Sequence, residues 1–210
     1  MIVIGAKGHA KDLLSVLSSN GESLNLCLFD NVSSDLPNKL YDRFPILRSY
    51  DQVKEYYKTD NRYVIGVGNP AHRSSLNKKF KSLGGKPTSI IAGTATIGQY
   101  DVLLGEGLNI MSRVVITNSV SIGEGALINA GVLIHHDVEI GEYTEISPSA
   151  VITGNVKIGK LSFIGANATV LPRVKIGDNV IVGAGAVVTR DSPSGSLAMG
   201  VPARVIKTLV

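Results

Sequence analysis

From Leu104 to Val188 an aliphatic side chain stands at every sixth position. The series is Leu104, Ile110, Ile116, Ile122, Ile128, Ile134, Ile140, Ile146, Ile152, Ile158, Ile164, Val170, Ile176, Val182 and Val188. A period of six matches neither an amphipathic helix at 3.6 nor a sandwich of hairpins at 2. It is the spacing of a parallel β-helix, in which one short strand and one corner make each repeat. The residue two before each aliphatic is usually small or β-branched, as in Val132, Val138, Thr144 and Ala150. Two residues apart on a strand share a face, so both point inward. Three repeats close a triangular coil of eighteen residues, and stacked coils share one core that no repeat could bury alone. Glycine often follows the aliphatic (Gly105, Gly123, Gly141, Gly159, Gly165, Gly177, Gly183). The expectation is that these glycines supply positive φ at the corners. Ile91 and Ile97 keep the period, but Leu104 lies seven beyond Ile97, which predicts an extra residue near Gln99–Tyr100. The spacing does not give the hand of the coil.

Residues 1–90 read differently and are expected to form a separate α/β domain, with the β-helix and its tail over 91–210. Ile2–Ile4 is a buried strand and Gly5–His9 a glycine-rich turn. Ala10–Leu17 carries helical spacing, stopped by Asn20–Gly21. Leu24–Phe29 and Tyr63–Gly68 are further strands, and Asn69–Pro70 leads to a helix over Arg73–Leu83. This is a Rossmann-like βαβ pattern with a parallel sheet. Ligands of such sheets sit beyond the carboxyl ends of the strands. Gly5–His9, Asp30–Asn31 and Gly68–Asn69 all fall there, with a helix N-terminus ready to hold a pyrophosphate. GAKGH is not the GxGxxG fingerprint, so a turn without a ligand remains the alternative on these residues alone.

Composition narrows the function. Net charge is only +4 and aromatics are 5%, with no basic cluster, which argues against a nucleic-acid partner. One cysteine, Cys27, excludes an internal disulfide. It is expected to be a buried small hydrophobe in a cytoplasmic protein. No apolar run reaches membrane-spanning length, and no signal-sequence pattern is present.

Four histidines occur: His9, His72, His135 and His136. His135 takes the slot after the aliphatic, His136 follows and points outward, and Asp137 can orient its imidazole. Eighteen residues away lie Asn118 on one side and Gly154 on the other. Coils stack about 4.8 Å apart, so a base would lie one layer from a bare N–H able to approach an oxyanion. Base plus oxyanion donor suits acyl transfer. The alternative is a solvated polar corner. Adjacent histidines on a strand diverge, so a metal site is not expected.

The segments His136–Tyr143, Ile146–Ala150 and Gly154–Gly159, with GAKGH at the start and Gly200-Val201-Pro202-Ala203-Arg204 near the end, resemble the sugar O/N-acyltransferases of the left-handed β-helix superfamily. More narrowly they resemble the sialic-acid O-acetyltransferase and UDP-4-amino-sugar N-acetyltransferase group (NeuD/PglD type). The resemblance implies a left-handed coil, against the right-handed rule for parallel crossovers. It implies an acetyl-CoA-dependent transferase acting on the amine of a nucleotide-linked amino sugar. His136 would be the general base, tuned by Asp137, with the Gly154 N–H on the thioester oxygen. Gly165, Ala166, Gly183 and Ala184 would line the pantetheine groove. Lys7, Gly8, His9, Asp30, Asn31, Gly68 and Asn69 would bind the nucleotide-sugar. Asn129 would reach the site from a neighbouring subunit of a homotrimer whose active sites lie between subunits. Glu145 stands where relatives carry a second histidine near the acetyl group, so it belongs with the acetyl-CoA contacts. No metal cofactor is implied. O-acetylation of sialic acid or a related sugar is the alternative chemistry, and a non-catalytic trimeric scaffold that binds nucleotide-sugar is the alternative class.

Overall fold

The computed structural model describes residues 1–209. The chain divides into two compact units, the first spanning Met1–Ile90 and the second beginning at Ile91.

The first unit is built on a sheet of six strands: β1 (Ile2–Ile4), β2 (Cys27–Phe29), β3 (Lys39–Leu40), β4 (Phe44–Leu47), β5 (Arg62–Ile65) and β6 (Lys86–Pro87). Their spatial order is β3-β4-β2-β1-β5-β6. All pairings are parallel except β3 with β4. Three helices accompany the sheet: α1 (Gly8–Ser19), α2 (Tyr50–Tyr57) and α3 (Pro70–Ser82). Ile2, Ile4, Cys27, Phe29, Val53, Tyr63, Ile65 and Phe80 form the buried cluster. The chain leaves β1 toward β2 on one side and returns to β5 on the other. The switch point therefore lies between β1 and β5, where a ligand crevice is expected.

The expected strands and helices of this unit are present, with shifted ends. Helix α1 begins at Gly8, inside the glycine-rich turn, and β5 stops at Ile65. The segment carrying β3, β4 and α2 has no clear periodicity, because these elements are short. Yet Ser49–Gln52 carries a capping-box signature, and Ser49 and Gln52 do cap α2 reciprocally.

The second unit is a left-handed β-helix of the hexapeptide type. Its strands stack into three faces. The first face includes Asn109–Ile110, Leu127–Ile128, Glu145–Ile146, Phe163–Ile164 and Ile181–Val182. The second runs from Thr96–Ile97 through Leu133–Ile134 to Val187–Val188. The third runs from Val102–Leu104 through Glu139–Ile140 to Lys175–Ile176. Register between coils is eighteen residues, as in Ile128↔Ile146 and Ile134↔Ile152. Only the first coil is longer: Ile97 pairs with Ile116, while Leu104 pairs with Ile122. The extra residue sits in that corner, where Asn118 Oδ1 accepts from the Tyr100 N–H at 3.2 Å. The aliphatic series and the small residues two before it fill one core. The chain closes with an antiparallel pair, Ser196–Gly200 against Ala203–Thr208.

The corner glycines have a different cause from the one expected. Positive φ falls not after the aliphatic but three residues after it, at every sixth residue from Asp101 to Gly185. Eleven of those fifteen positions are not glycine: Asp101, Arg113, Ser119, Asp137, Tyr143, Ser149, Asn155, Leu161, Asn167, Arg173 and Asn179. The glycines after the aliphatic are needed for close approach. A Cβ on Gly141 would strike the backbone of Lys160 and Gly159 one coil on, and one on Gly165 would strike Ala184 N.

This distinction predicts opposite outcomes. Gly141→Ala is expected to cost about 1–3 kcal/mol, because the next coil cannot yield. Arg173→Gly is expected to be neutral or stabilising by up to about 1 kcal/mol, since relief of left-handed strain outweighs the entropy of the added glycine. Denaturant midpoints measure both, and equal destabilisation would contradict the assignment.

Candidate active site

His136 and Asp137 lie on the edge between the second and third faces. Asp137 holds φ +60°, and that turn swings its carboxylate back onto the preceding residue. Asp137 Oδ2 meets His136 Nδ1 at 2.7 Å. With Nδ1–H donated to the carboxylate, Nε2 keeps its lone pair free for a proton. Both side chains are open to solvent, at 67% and 53% exposure, so the base is reachable. The backbone beneath is fixed from both sides. His135 N–H donates to Ile152 O at 2.9 Å, and Asn155 N–H donates to His136 O at 2.9 Å.

Gly154 does more than leave an N–H bare. The imidazole of His136 occupies the space above it: a Cβ there would lie 2.6 Å from Cε1 and 2.8 Å from Nε2. Glycine is the seat of the ring. The free N–H also has a structural reason. In the corners where the residue before the positive-φ position is not proline, its N–H takes no part in the coil ladder. In some other corners a side chain one coil on accepts it, as Asn118 Oδ1 does from the Tyr100 N–H at 3.2 Å and Asp178 Oδ1 does from the Lys160 N–H at 2.9 Å. The residue eighteen beyond Gly154 is Pro172, which has no side-chain acceptor. The Gly154 N–H therefore has no partner among the described residues. Pro172 escaped the sequence analysis, although the period pointed to it.

The other residues assigned to the acyl donor lie on a different edge. Asn129, Gly165, Ala166, Gly183 and Ala184 mark the edge between the first and second faces. Glu145 points outward from the first face beside it and accepts from Asn129 Nδ2 at 3.3 Å. Gly165 and Gly183 have packing reasons of their own, since Met199 Cγ would lie 2.8 Å from a Cβ on Gly183. Within one chain this edge and the His136 edge are separated by the width of the second face.

In the first unit the expected residues gather at the carboxyl end of the sheet. Gly5, at φ +107°, and Gly66 bring two loops into contact: a Cβ on Gly5 would lie 2.9 Å from Gly66 O, and one on Gly66 2.9 Å from Ala10 Cβ. Lys7 and Gly8 sit at the start of α1, where Lys7 provides no side-chain cap. Lys7 Nζ pairs with Asp35 at 2.7 Å. Asp30 and Asn69 are engaged locally. Asp30 Oδ1 accepts from the Val32 and Ser33 N–H groups at 3.0 and 2.8 Å, and Asn69 Oδ1 caps α3 by accepting from His72 N–H at 3.0 Å. Asn31 is exposed, and Gly68 is half-buried between β5 and α3. Two arginines were not foreseen. Arg73 is fully buried and holds the Val67 carbonyl at 3.1 Å. Arg48 binds the loop after β2 through four carbonyls. Neither has a spacing signal.

Burial, then the Arg73 guanidinium, pushes the His9 imidazole down to about 3 from 6.5. It is neutral at physiological pH, a hydrogen-bonding group and not a cation. Burial pushes the Cys27 thiol up to about 11, so Cys27 is an inert core residue. Among the described residues no group of three or more His, Cys, Asp or Glu is placed to hold a metal ion. No helix among them is long and apolar enough to cross a membrane.

The family description of the bacterial transferase hexapeptide (six repeats) matches residues 119–154 and 155–190. That of the PglD N-terminal domain matches residues 1–80. A solved structure of a perosamine N-acetyltransferase mutant from Caulobacter crescentus, in complex with CoA and GDP-perosamine, is 31% identical with a TM-score of 0.91, covering 98% of this chain and 96% of that one. WeeI from Acinetobacter baumannii AYE is 26% identical with a TM-score of 0.88, covering 98% of both chains. The acetyltransferase domain of PglB from Neisseria gonorrhoeae FA1090, in complex with acetyl coenzyme A, is 26% identical with a TM-score of 0.78, covering 98% of both chains. No curated protein matches in sequence.

The His9 shift sets a pH dependence. The unfolded imidazole takes a proton near 6.5, whereas the folded one resists until about 3. The contribution is full above about 6.5 and is lost as pH falls toward 3, by at most about 1.4 kcal/mol per pH unit. Thermal melts between pH 4 and 8 are expected to show this slope, and His9→Asn to flatten it.

Proposed function

The chain belongs to the hexapeptide-repeat, PglD-like sugar N-acetyltransferases, and from that premise we propose that it moves an acetyl group from acetyl-CoA to the amine of a nucleotide-linked amino sugar. The observation that carries this reading is the His136–Asp137 pair seated on Gly154. His136 Nε2 takes the proton from the amine as nitrogen bonds to the acetyl carbonyl carbon. Asp137 steadies the imidazolium so formed. The Gly154 N–H donates to the carbonyl oxygen as negative charge develops on it. When the carbon–sulfur bond breaks, His136 returns the proton to the departing thiolate.

The nucleotide moiety is assigned to the carboxyl end of the first unit's sheet: Lys7, Gly8 and His9 near the diphosphate, and Asp30, Asn31, Gly68 and Asn69 around it. The acyl donor is assigned to Asn129, Glu145, Gly165, Ala166, Gly183 and Ala184. These residues and His136 occupy separate edges, which supports a homotrimer with sites between subunits. So does the surface chemistry of the faces. The outward column of the second face is Val115, Leu133, Val151, Thr169 and Val187, whereas that of the third is Leu103, Ser121, Glu139, Lys157 and Lys175. An apolar column suits a subunit interface and a charged one suits solvent. A cytoplasmic location is supported by the single buried, unreactive Cys27.

In a thiol-release assay with UDP-4-amino-sugar, GDP-amino-sugar and sialic acid, turnover is expected with an amino sugar and not with sialic acid alone. His136→Ala is expected to lower kcat by about 10²–10⁴ with the fold intact, and Gly154→Ala to lower it by displacing the ring. Unchanged turnover in His136→Ala would overturn the mechanism. Leu133→Glu is expected to give monomers by light scattering and to abolish activity; an active trimer would refute the interface.

A further inference from the structure

Arg48 stands directly before Ser49, the N-cap of α2, and its place is fixed by that cap. Gln52 Oε1 accepts from the Arg48 and Ser49 N–H groups at 2.6 and 3.1 Å. From there the guanidinium reaches back across the sheet edge to the loop that follows β2. Nη1 donates to the carbonyls of Asp30 and Ser33 at 3.1 and 3.0 Å, and Nη2 to those of Leu36 and Pro37 at 2.8 and 3.1 Å. One planar fork therefore sets the orientation of four peptide units in an eight-residue stretch. From inside the loop, the Asp30 carboxylate ties down Val32 and Ser33.

A trans peptide is planar, with its C=O and the following N–H pointing in opposite directions. With the carbonyls of Asp30 and Ser33 turned onto Arg48, the N–H groups of Asn31 and Ser34 face away from it. Neither has an intramolecular acceptor among the described residues. The loop thus offers two fixed backbone donors. The Lys7–Asp35 ion pair at 2.7 Å places the same loop against the turn that leads into α1, at the carboxyl end of β1 and β2.

We infer that Arg48 is a positioning residue that shapes the loop 30–37 into a reader of the nucleobase, through the outward N–H groups of Asn31 and Ser34. The inference rests on the proposed binding of nucleotide-sugar by the first unit. Donors select for acceptors. The loop therefore favours a base with a carbonyl edge, uracil or guanine, over adenine, whose exocyclic group is itself a donor. Lysine cannot replace Arg48, because a single ammonium cannot span four carbonyls in a fixed plane.

The test uses the full chain as wild type, Arg48→Lys and Arg48→Ala. Calorimetric titration with UDP, GDP and ADP gives nucleotide affinity, and steady-state assays give KM for acetyl-CoA. Wild type is expected to bind UDP or GDP more tightly than ADP. Both variants are expected to weaken that binding by about tenfold or more, the worth of one or two donors to the base, and to narrow the preference over ADP. KM for acetyl-CoA is expected to stay unchanged. Wild-type binding with undiminished affinity and selectivity in both variants would overturn the role of Arg48 alone. An equal rise in KM for acetyl-CoA would mark Arg48 as merely structural and also overturn it. Failure of wild type to bind any of the three nucleotides would bring down the reading of the first unit and this inference with it.

Discussion

Everything in the second unit follows from hydrogen bonding between coils at a fixed separation of eighteen residues. A strand N–H such as that of Leu133 donates to Ala150 O at 3.0 Å, and a corner N–H such as that of Asn155 donates back to His136 O at 2.9 Å. Once that exchange repeats, a residue's position in its hexad decides whether it is buried, turned to solvent or packed against the next backbone. It also decides which backbone donors stay unspent. In the corners without proline one N–H lies outside the ladder, and the side chain one coil on either caps it or leaves it open. The combination of Gly154 and Pro172 leaves it open beside an imidazole. What sets this corner apart from the others with an open N–H is the imidazole seated on a residue without a side chain.

The same regularity bears on assembly. His136 belongs to one edge of the coil, while Asn129 and Glu145 belong to another. No rearrangement inside a stacked β-helix can bring those edges together, because each is locked to the coils above and below. A second chain is the economical way to complete the site in the proposed trimer. Because every coil has the same rise, two such chains packed side by side stay in step along their length. A groove between them would then run parallel to the axis, which suits an extended ligand arm.

The aliphatic period made the β-helix legible down to the register, since inward positions repeat without interruption. The corner chemistry was only half legible. Glycine has two uses, positive φ and close approach, and sequence alone does not say which applies. Here the strained φ falls on residues such as Tyr143, Leu161 and Arg173, whose identity gives no hint of it. The first unit shows a similar limit. Asp30 and Asn69 stand where ligand contacts are expected, yet both carboxylate and amide hold their own backbone. Arg48 and Arg73 carry no motif at all. Their importance lies in contacts more than ten residues away in the first case and in complete burial in the second, neither of which is written in local spacing.

The four histidines show how environment sorts one residue type. His72 lies exposed in the first turn of α3. His9 is held neutral by burial and a nearby guanidinium, so it can donate or accept but does not carry charge. His135 takes the slot after the aliphatic, where its N–H is spent on the coil ladder. Only His136 combines an exposed ring, a carboxylate at 2.7 Å that sets its tautomer, and a neighbour without a side chain. The proposed base is therefore singled out by orientation and access. That is why the pair His135–His136, indistinguishable by composition, is divided by geometry: only the second has a carboxylate partner on its ring and a bare glycine beneath it.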